Sequence, residues 1–153
     1  MNTLRNSRIL VTGFPSFISL HLIERLKKEG ALIFAFKKPS SRNNQREKQL
    51  LKSGINVFDV DITNFKSIQS SIKKIQPEII FHIAAYTNAE RSSKIINHCI
   101  KINIEGMANL LRALEKITYK SFVNVSSTEV YGPISVPFKE EQLPQPISPY
   151  GLS

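Results

Sequence analysis

Arg8-Ile9-Leu10-Val11-Thr12-Gly13-Phe14-Pro15-Ser16-Phe17-Ile18-Ser19 begins as an apolar run, passes through a turn at Gly13 and enters a stretch with helical spacing. Arg8 to Val11 reads as a strand buried on both faces, because its apolar residues are continuous instead of alternating. From Ser16 to Glu29 the residues Ile18, Leu22, Ile23 and Leu26 fall on one stripe of a helix, and Gly30 stops it. A buried strand feeding a helix is half of a crossover unit, which a parallel sheet repeats.

It recurs along the chain. Further buried strands are expected at Leu32 to Phe36, Asn56 to Asp59, Ile79 to Ile83 and Ser121 to Val125. Helices are expected between them. The stretch Ser41 to Ser53 is polar and weakly patterned. Thr63 or Asn64 caps a helix carrying Phe65, Ile68, Ile72 and Ile75, which Pro77 ends. A long helix from Ser93 to Ile117 has Ile102, Met107, Leu110, Leu111 and Leu114 as its apolar face. The pattern predicts an α/β fold, a doubly wound parallel sheet in the order 3-2-1-4-5 with helices on both faces. After the fifth strand Pro133, Pro137, Pro144, Pro146 and Pro149 hold the chain extended, and a helix is expected to start near Tyr150.

The 153 residues suit one domain, and 41% hydrophobic residues are enough for a core. The apolar runs are far shorter than a membrane span and Met1 to Arg5 lacks the apolar core of a signal peptide, so a cytoplasmic protein without membrane partner is the expectation. Cys99 cannot form an internal disulfide, and His98 beside it has no second pair at metal-ligand spacing, so no metal is expected. The net charge of +9 is spread over Lys27-Lys28, Lys37-Lys38, Lys73-Lys74 and Lys116 to Lys120 with no interleaved aromatics. That is a solvated basic surface, not a nucleic-acid stripe, and its field favours an anionic nucleotide.

Several segments together carry a family resemblance. Thr12-Gly13-Phe14-Pro15-Ser16-Phe17-Ile18-Ser19 resembles the TGxxGFIG turn of extended short-chain dehydrogenase/reductases, with serines at the second and third glycine positions. Asp59-Val60-Asp61-Ile62-Thr63 is similar to that family's adenine-contacting segment. Pro77 to Tyr86 is similar to its fourth strand and the small-residue turn over the cofactor. Asn103 to Leu111 resembles the helix whose first asparagine supports the site. Ser126-Ser127-Thr128-Glu129-Val130-Tyr131-Gly132 and Ser148-Pro149-Tyr150-Gly151 complete the match to the NAD-dependent epimerase/dehydratase type.

The resemblance implies a Rossmann-like, NAD(P)-binding domain over residues 1–153 and oxidation of a sugar hydroxyl on a nucleotide-sugar. It implies cofactor contacts from Gly13, Ser16, Phe17, Ile18, Lys37, Asp61, Ile62, Ala84, Ala85, Tyr86, Asn103, Ser126 and Tyr150. Tyr150 would take the hydroxyl proton, Ser127 would hydrogen-bond the same oxygen, and Glu129 would be the carboxylate that separates dehydratases from other members. Epimerase, dehydratase and decarboxylase remain open. At the end of the second strand, Lys37 and Lys38 stand where an NAD-selective site carries a carboxylate; a lysine pairs with a 2′-phosphate, which favours NADP over NAD, or is merely solvated.

Two departures from the pattern set further expectations. Ser16 and Ser19 crowd the phosphate turn; at about 1 kcal/mol each they would weaken cofactor binding or folding roughly tenfold or more, although Ser16 could donate to a phosphate oxygen. The family's lysine, one helical turn after the tyrosine, falls beyond Ser153. A free tyrosine, with a pKa near ~10, is only about a thousandth ionised at neutral pH, so the sequence is expected to be an N-terminal piece, truncated before the last strands and the substrate domain, without appreciable turnover of its own. Alternatives are a non-catalytic dinucleotide-binding module, a decayed remnant, or a subunit that pairs, as a homodimer among other ways. His82, ending an apolar strand, is expected to be a packed, hydrogen-bonded residue.

Overall fold

The computed structural model describes residues 4–39, 45–134 and 136–153. Five parallel strands, β1 (Arg8–Phe14), β2 (Leu32–Lys37), β3 (Asn56–Asp59), β4 (Ile79–His82) and β5 (Ser121–Asn124), form one sheet in the order β3-β2-β1-β4-β5. The order reverses between β1 and β4, leaving a crevice beyond the carboxyl ends of those strands.

Alternation along β1 and β2 builds two cores, one on each face. Ile9, Val11, Ile33 and Ala35 pack with Leu20, Ile23 and Leu26 of helix α1 (Phe17–Lys28) and with Leu50 of α2 (Gln45–Lys52). Leu10, Phe36 and Ile80 pack with Ile68, Ile72 and Ile75 of α3 (Phe65–Ile75). The helical stretch after β4 comprises a 3-10 turn (Ser93–Ile95), α4 (Ile96–Cys99), a π-helical segment (Ile100–Glu105) and α5 (Gly106–Leu114). Leu110, Ala113 and Leu114 of α5 enter the second core, whereas Leu111 is exposed.

The element limits differ from expectation for identifiable reasons. β1 runs three residues past Val11, because Gly13 (φ 78°) shifts the register between Thr12 and Phe14 and lets Phe14 still pair with Lys37. β4 ends one residue before Ile83, whose amide, with that of Ala84, is taken by Thr12 Oγ1 instead of the ladder. Asn64 caps α3 by accepting from Ser67 N (3.1 Å), while Thr63 is drawn back to Asp61. The single long helix expected from Ser93 is broken by the π segment that carries Asn103, a common mark of functional sites. The first four residues of the helix expected from Ser41 lie outside the described residues. Ser148 caps a last short helix, α6 (Pro149–Leu152), and Pro149 occupies its first position. Among the described residues no helix is long and apolar enough to cross a membrane.

Candidate active site

The crevice at the ends of β1 and β4 is a cavity of about 640 Å³. Its floor and one wall are the β1–α1 turn: Gly13, Ser16, Phe17 and Ile18. The opposite walls are Asp61 and Ile62 after β3, and Ala84, Ala85 and Tyr86 after β4, with Lys38 at the rim. Phe17 is 76% and Ile18 51% exposed, so the cavity presents apolar side chains at the start of α1 for a ligand to cover. As first-turn residues of α1 they also carry amides that make no bond within the helix, at the end of the helix where anions are favoured.

Gly13 is demanded by the chain itself. A Cβ there would lie 2.7 Å from Ala84 N and 2.9 Å from Ile83 C, both backbone, and φ is left-handed. The two serines bond to each other and to the turn backbone. Ser19 is completely buried, yet its hydroxyl is satisfied by Gly13 O (3.2 Å), Ser16 O (3.0 Å) and Ser16 Oγ (3.1 Å), while Ser16 Oγ caps α1 by accepting from Ser19 N. The turn is closed by its own hydroxyls where the glycine pattern leaves space. In this arrangement the Ser16 hydroxyl donates to Ser19 Oγ.

Asp61 is held for acceptance. Burial pushes its carboxyl upward, but bonds from the Thr63 amide (2.9 Å) and hydroxyl (2.8 Å), with Lys38 and Lys101 nearby, outweigh it and keep the group below the usual carboxylate range. Both bonds fall on Oδ1, which leaves Oδ2 to receive a donor. Lys37 is turned away from this cavity: its ammonium donates to Glu47 Oε1 (2.6 Å) on α2, where Glu47 is 1% exposed. The residue of the Lys37-Lys38 pair on the cavity wall is Lys38. Sequence reasoning had no means to choose between them, since a one-residue difference at a strand end reverses the face.

Ala84 and Ala85 also line a smaller adjoining pocket of about 100 Å³ that gathers Ser126, Ser127, Tyr150, Asn103, His82 and Ser153. Ser127 Oγ accepts from Glu129 N (3.2 Å), which leaves its proton for another acceptor. Asn103 braces the two pockets: its Oδ1 accepts from Tyr86 N (2.7 Å), and its Nδ2 donates to Tyr86 O (3.2 Å) and to Ser153 Oγ (2.7 Å). Ser126 and Asn103 line this smaller pocket and not the larger one. The carboxylate of Glu129 accepts from Ser148 Oγ (3.2 Å), and Glu129 does not line the pocket shared by Ser127 and Tyr150.

Thr12 lines the larger cavity and His82 the smaller one, and the sequence pattern assigned neither to the site. Thr12 Oγ1 accepts from both Ile83 N and Ala84 N (3.1 Å each), so its single proton goes to His82 Nδ1 (2.8 Å). That count fixes the His82 tautomer with the proton on Nε2, and burial pushes the imidazole down to about 4. Thr12 was legible only as the residue before Gly13.

A model of the NAD dependent epimerase/dehydratase family matches residues 9–153. The chain belongs to this family. Among relatives of the family, a UDP-glucuronate 4-epimerase from Thermodesulfobacterium geofontis is 28% identical over 94% of this chain and 47% of its own length. A dTDP-glucose 4,6-dehydratase from Haemophilus influenzae is 30% identical over 95% and 47%. The UDP-glucose 4-epimerase of Thermotoga maritima, solved with UDP-glucose, superposes with a TM-score of 0.83 at 29% identity, over 94% of this chain and 46% of that one. A UDP-glucose 4-epimerase of Thermus thermophilus, solved with NAD, gives 0.83 at 25% identity over 95% and 46%. The chain therefore spans about half the length of the relatives it matches. Family membership accounts for the sheet order and for the cavity at the switch point between β1 and β4.

Proposed function

We propose that this chain is the NAD(P)-binding and proton-transfer half of a nucleotide-sugar epimerase or dehydratase. The observation that carries the reading is that the two pockets share Ala84 and Ala85 as lining residues. A ligand with phosphates at the amides of Phe17 and Ile18 has an ionised acceptor, Asp61, at one end and the Ser127 and Tyr150 hydroxyls at the other.

The residues fit a dinucleotide. The larger cavity lies within the range of ligand pockets, and the ionised Asp61 is an acceptor suited to the amino or hydroxyl donors of an adenosine. Lys38 on the wall adds a positive charge that supports a phosphate-bearing ribose as well as a plain one. The nicotinamide ring supplies the hydride acceptor and donor. Ser127 donates its proton to the oxygen of the reacting sugar hydroxyl, and Tyr150, as its phenolate, takes the proton that this hydroxyl loses and becomes the neutral phenol. Asn103 holds the Tyr86 backbone and Ser153 in one frame, which fixes the tyrosine helix relative to the cofactor wall. The family membership, and relatives whose names describe UDP-glucuronate epimerisation and dTDP-glucose dehydration, support a nucleotide-sugar as the substrate.

Calorimetric titration of NAD and NADP into the chain tests the reading. Saturable binding is expected, weakened about tenfold or more by Asp61→Ala through the loss of one charge-assisted hydrogen bond. Absence of binding by both dinucleotides to a folded chain contradicts it.

A further inference from the structure

The Ser127 turn and the Tyr150 helix belong to segments separated by a proline-rich stretch, yet they meet at one pocket. Something must hold them in register, and three contacts do so. Gln145 N donates to Val130 O (3.0 Å). Gly151 lies so close to the turn that a Cβ on it would be 2.6 Å from Glu129 O. The third contact is a relay: Gly151 N donates to Ser148 Oγ (3.0 Å), and Ser148 Oγ donates to Glu129 Oε2 (3.2 Å).

The relay has a direction fixed by proton count. A hydroxyl has one proton, so Ser148 can cap the helix by accepting from Gly151 and still be satisfied only if a further acceptor takes its own proton. Ser148 is 1% exposed, so water is a poor substitute, and leaving that hydroxyl unpaired is costly. Glu129 is where that acceptor sits. Its own backbone is set by Ser127 Oγ, which accepts from Glu129 N (3.2 Å). One residue thus touches the catalytic-serine turn through its amide and the tyrosine-helix cap through its carboxylate.

We propose, on the reading given above, that Glu129 is a positioning residue: its side-chain oxygen anchors the Ser148 cap and so sets Tyr150 against Ser127. The relay requires an acceptor at this position and not a negative charge. Glutamine, whose amide oxygen accepts in the same place, should therefore replace glutamate, whereas alanine should not.

The test is amide hydrogen exchange, followed by NMR on the full chain at neutral pH. Glu129→Ala and Ser148→Ala should each speed exchange of the Gly151 amide about tenfold, the double variant should be no faster than Ser148→Ala alone, and Glu129→Gln should stay within about twofold of the unchanged chain. Gly151 exchange in Glu129→Gln as fast as in Glu129→Ala overturns the proposal, because charge and not acceptance would then be needed. So does unchanged exchange in Glu129→Ala. Should the alanine variants fail to fold, Glu129→Gln against the unchanged chain still decides, since loss of Gly151 protection there is the contradicting result. Dinucleotide calorimetry on the unchanged chain separates the two readings: failure to bind sinks the functional proposal, while the exchange pattern alone judges the cap.

Discussion

The two adjoining pockets are built by different means. The larger one is made of strand ends: Gly13 after β1, Asp61 and Ile62 after β3, Ala84 and Ala85 after β4, all placed by the sheet order itself. The smaller one is made of side-chain bonds between distant segments, Asn103 to Ser153 and Glu129 to Ser148. The larger cavity follows from topology, whereas the smaller pocket, lined by the ends of β4 and β5, also depends on a few polar contacts that bring distant segments to it. The first should therefore fail through the backbone, and the second through individual hydrogen bonds.

The largest effect is expected at Gly13. Gly13→Ala forces a left-handed alanine against the backbone of Ile83 and Ala84, costing about 3 kcal/mol or more. Thermal unfolding should show a drop of that size, with dinucleotide binding lost alongside it. An alanine variant of unchanged stability would mean that the close approach of β1 and β4 is not what shapes the cavity.

His82 comes next, because it lines the smaller pocket and receives the proton of Thr12, which lines the larger one. Its folded pKa, near 4, is below the ordinary value of 6.5, so between these pH values the unfolded chain binds a proton that the folded chain refuses. Stability rises with pH through that window and is lost on acidification, by about 3 kcal/mol at its lower end. His82→Asn, which keeps an acceptor for Thr12, should flatten the slope of denaturation free energy between pH 4 and 6.5; an unaltered slope would place the titrating group elsewhere.

Lys37 and Lys38 sharpen the contrast within the larger cavity. Lys37→Met removes a cation from the buried Glu47 and should cost on the order of 3 kcal/mol in stability while leaving the ratio of NADP to NAD affinity unchanged. Lys38→Glu should lower that ratio about tenfold with little effect on stability, as befits a rim charge. The reverse pattern in calorimetry and thermal unfolding would restore Lys37 as the residue facing the ribose.

The pattern of what could be read in advance follows the same division. Strand positions, sheet order and the Gly13 turn follow from apolar runs, helical stripes and chain punctuation, which are local and redundant. β1 runs past Val11 because a left-handed glycine absorbs one residue, and β4 stops early because a threonine hydroxyl competes for its amides. Neither competition leaves a trace in residue type. The glycine pattern of the turn says nothing of the bond that the Ser16 and Ser19 hydroxyls make with each other. Glu129 and Ser148 were visible as neighbours of Ser127 and Tyr150, but their mutual bond across the proline-rich segment required coordinates.

The most direct measurement is backbone NMR of the chain titrated first with ADP and then with NAD or NADP. ADP should shift the amides of Phe17, Ile18, Asp61 and Ile62 and leave Ser126, Ser127 and Gly151 in place. The dinucleotide should shift both sets at one common affinity, because its two halves would occupy two joined pockets. Shifts confined to the first set with every ligand, or absent from both, would contradict a single site running from Asp61 to Tyr150.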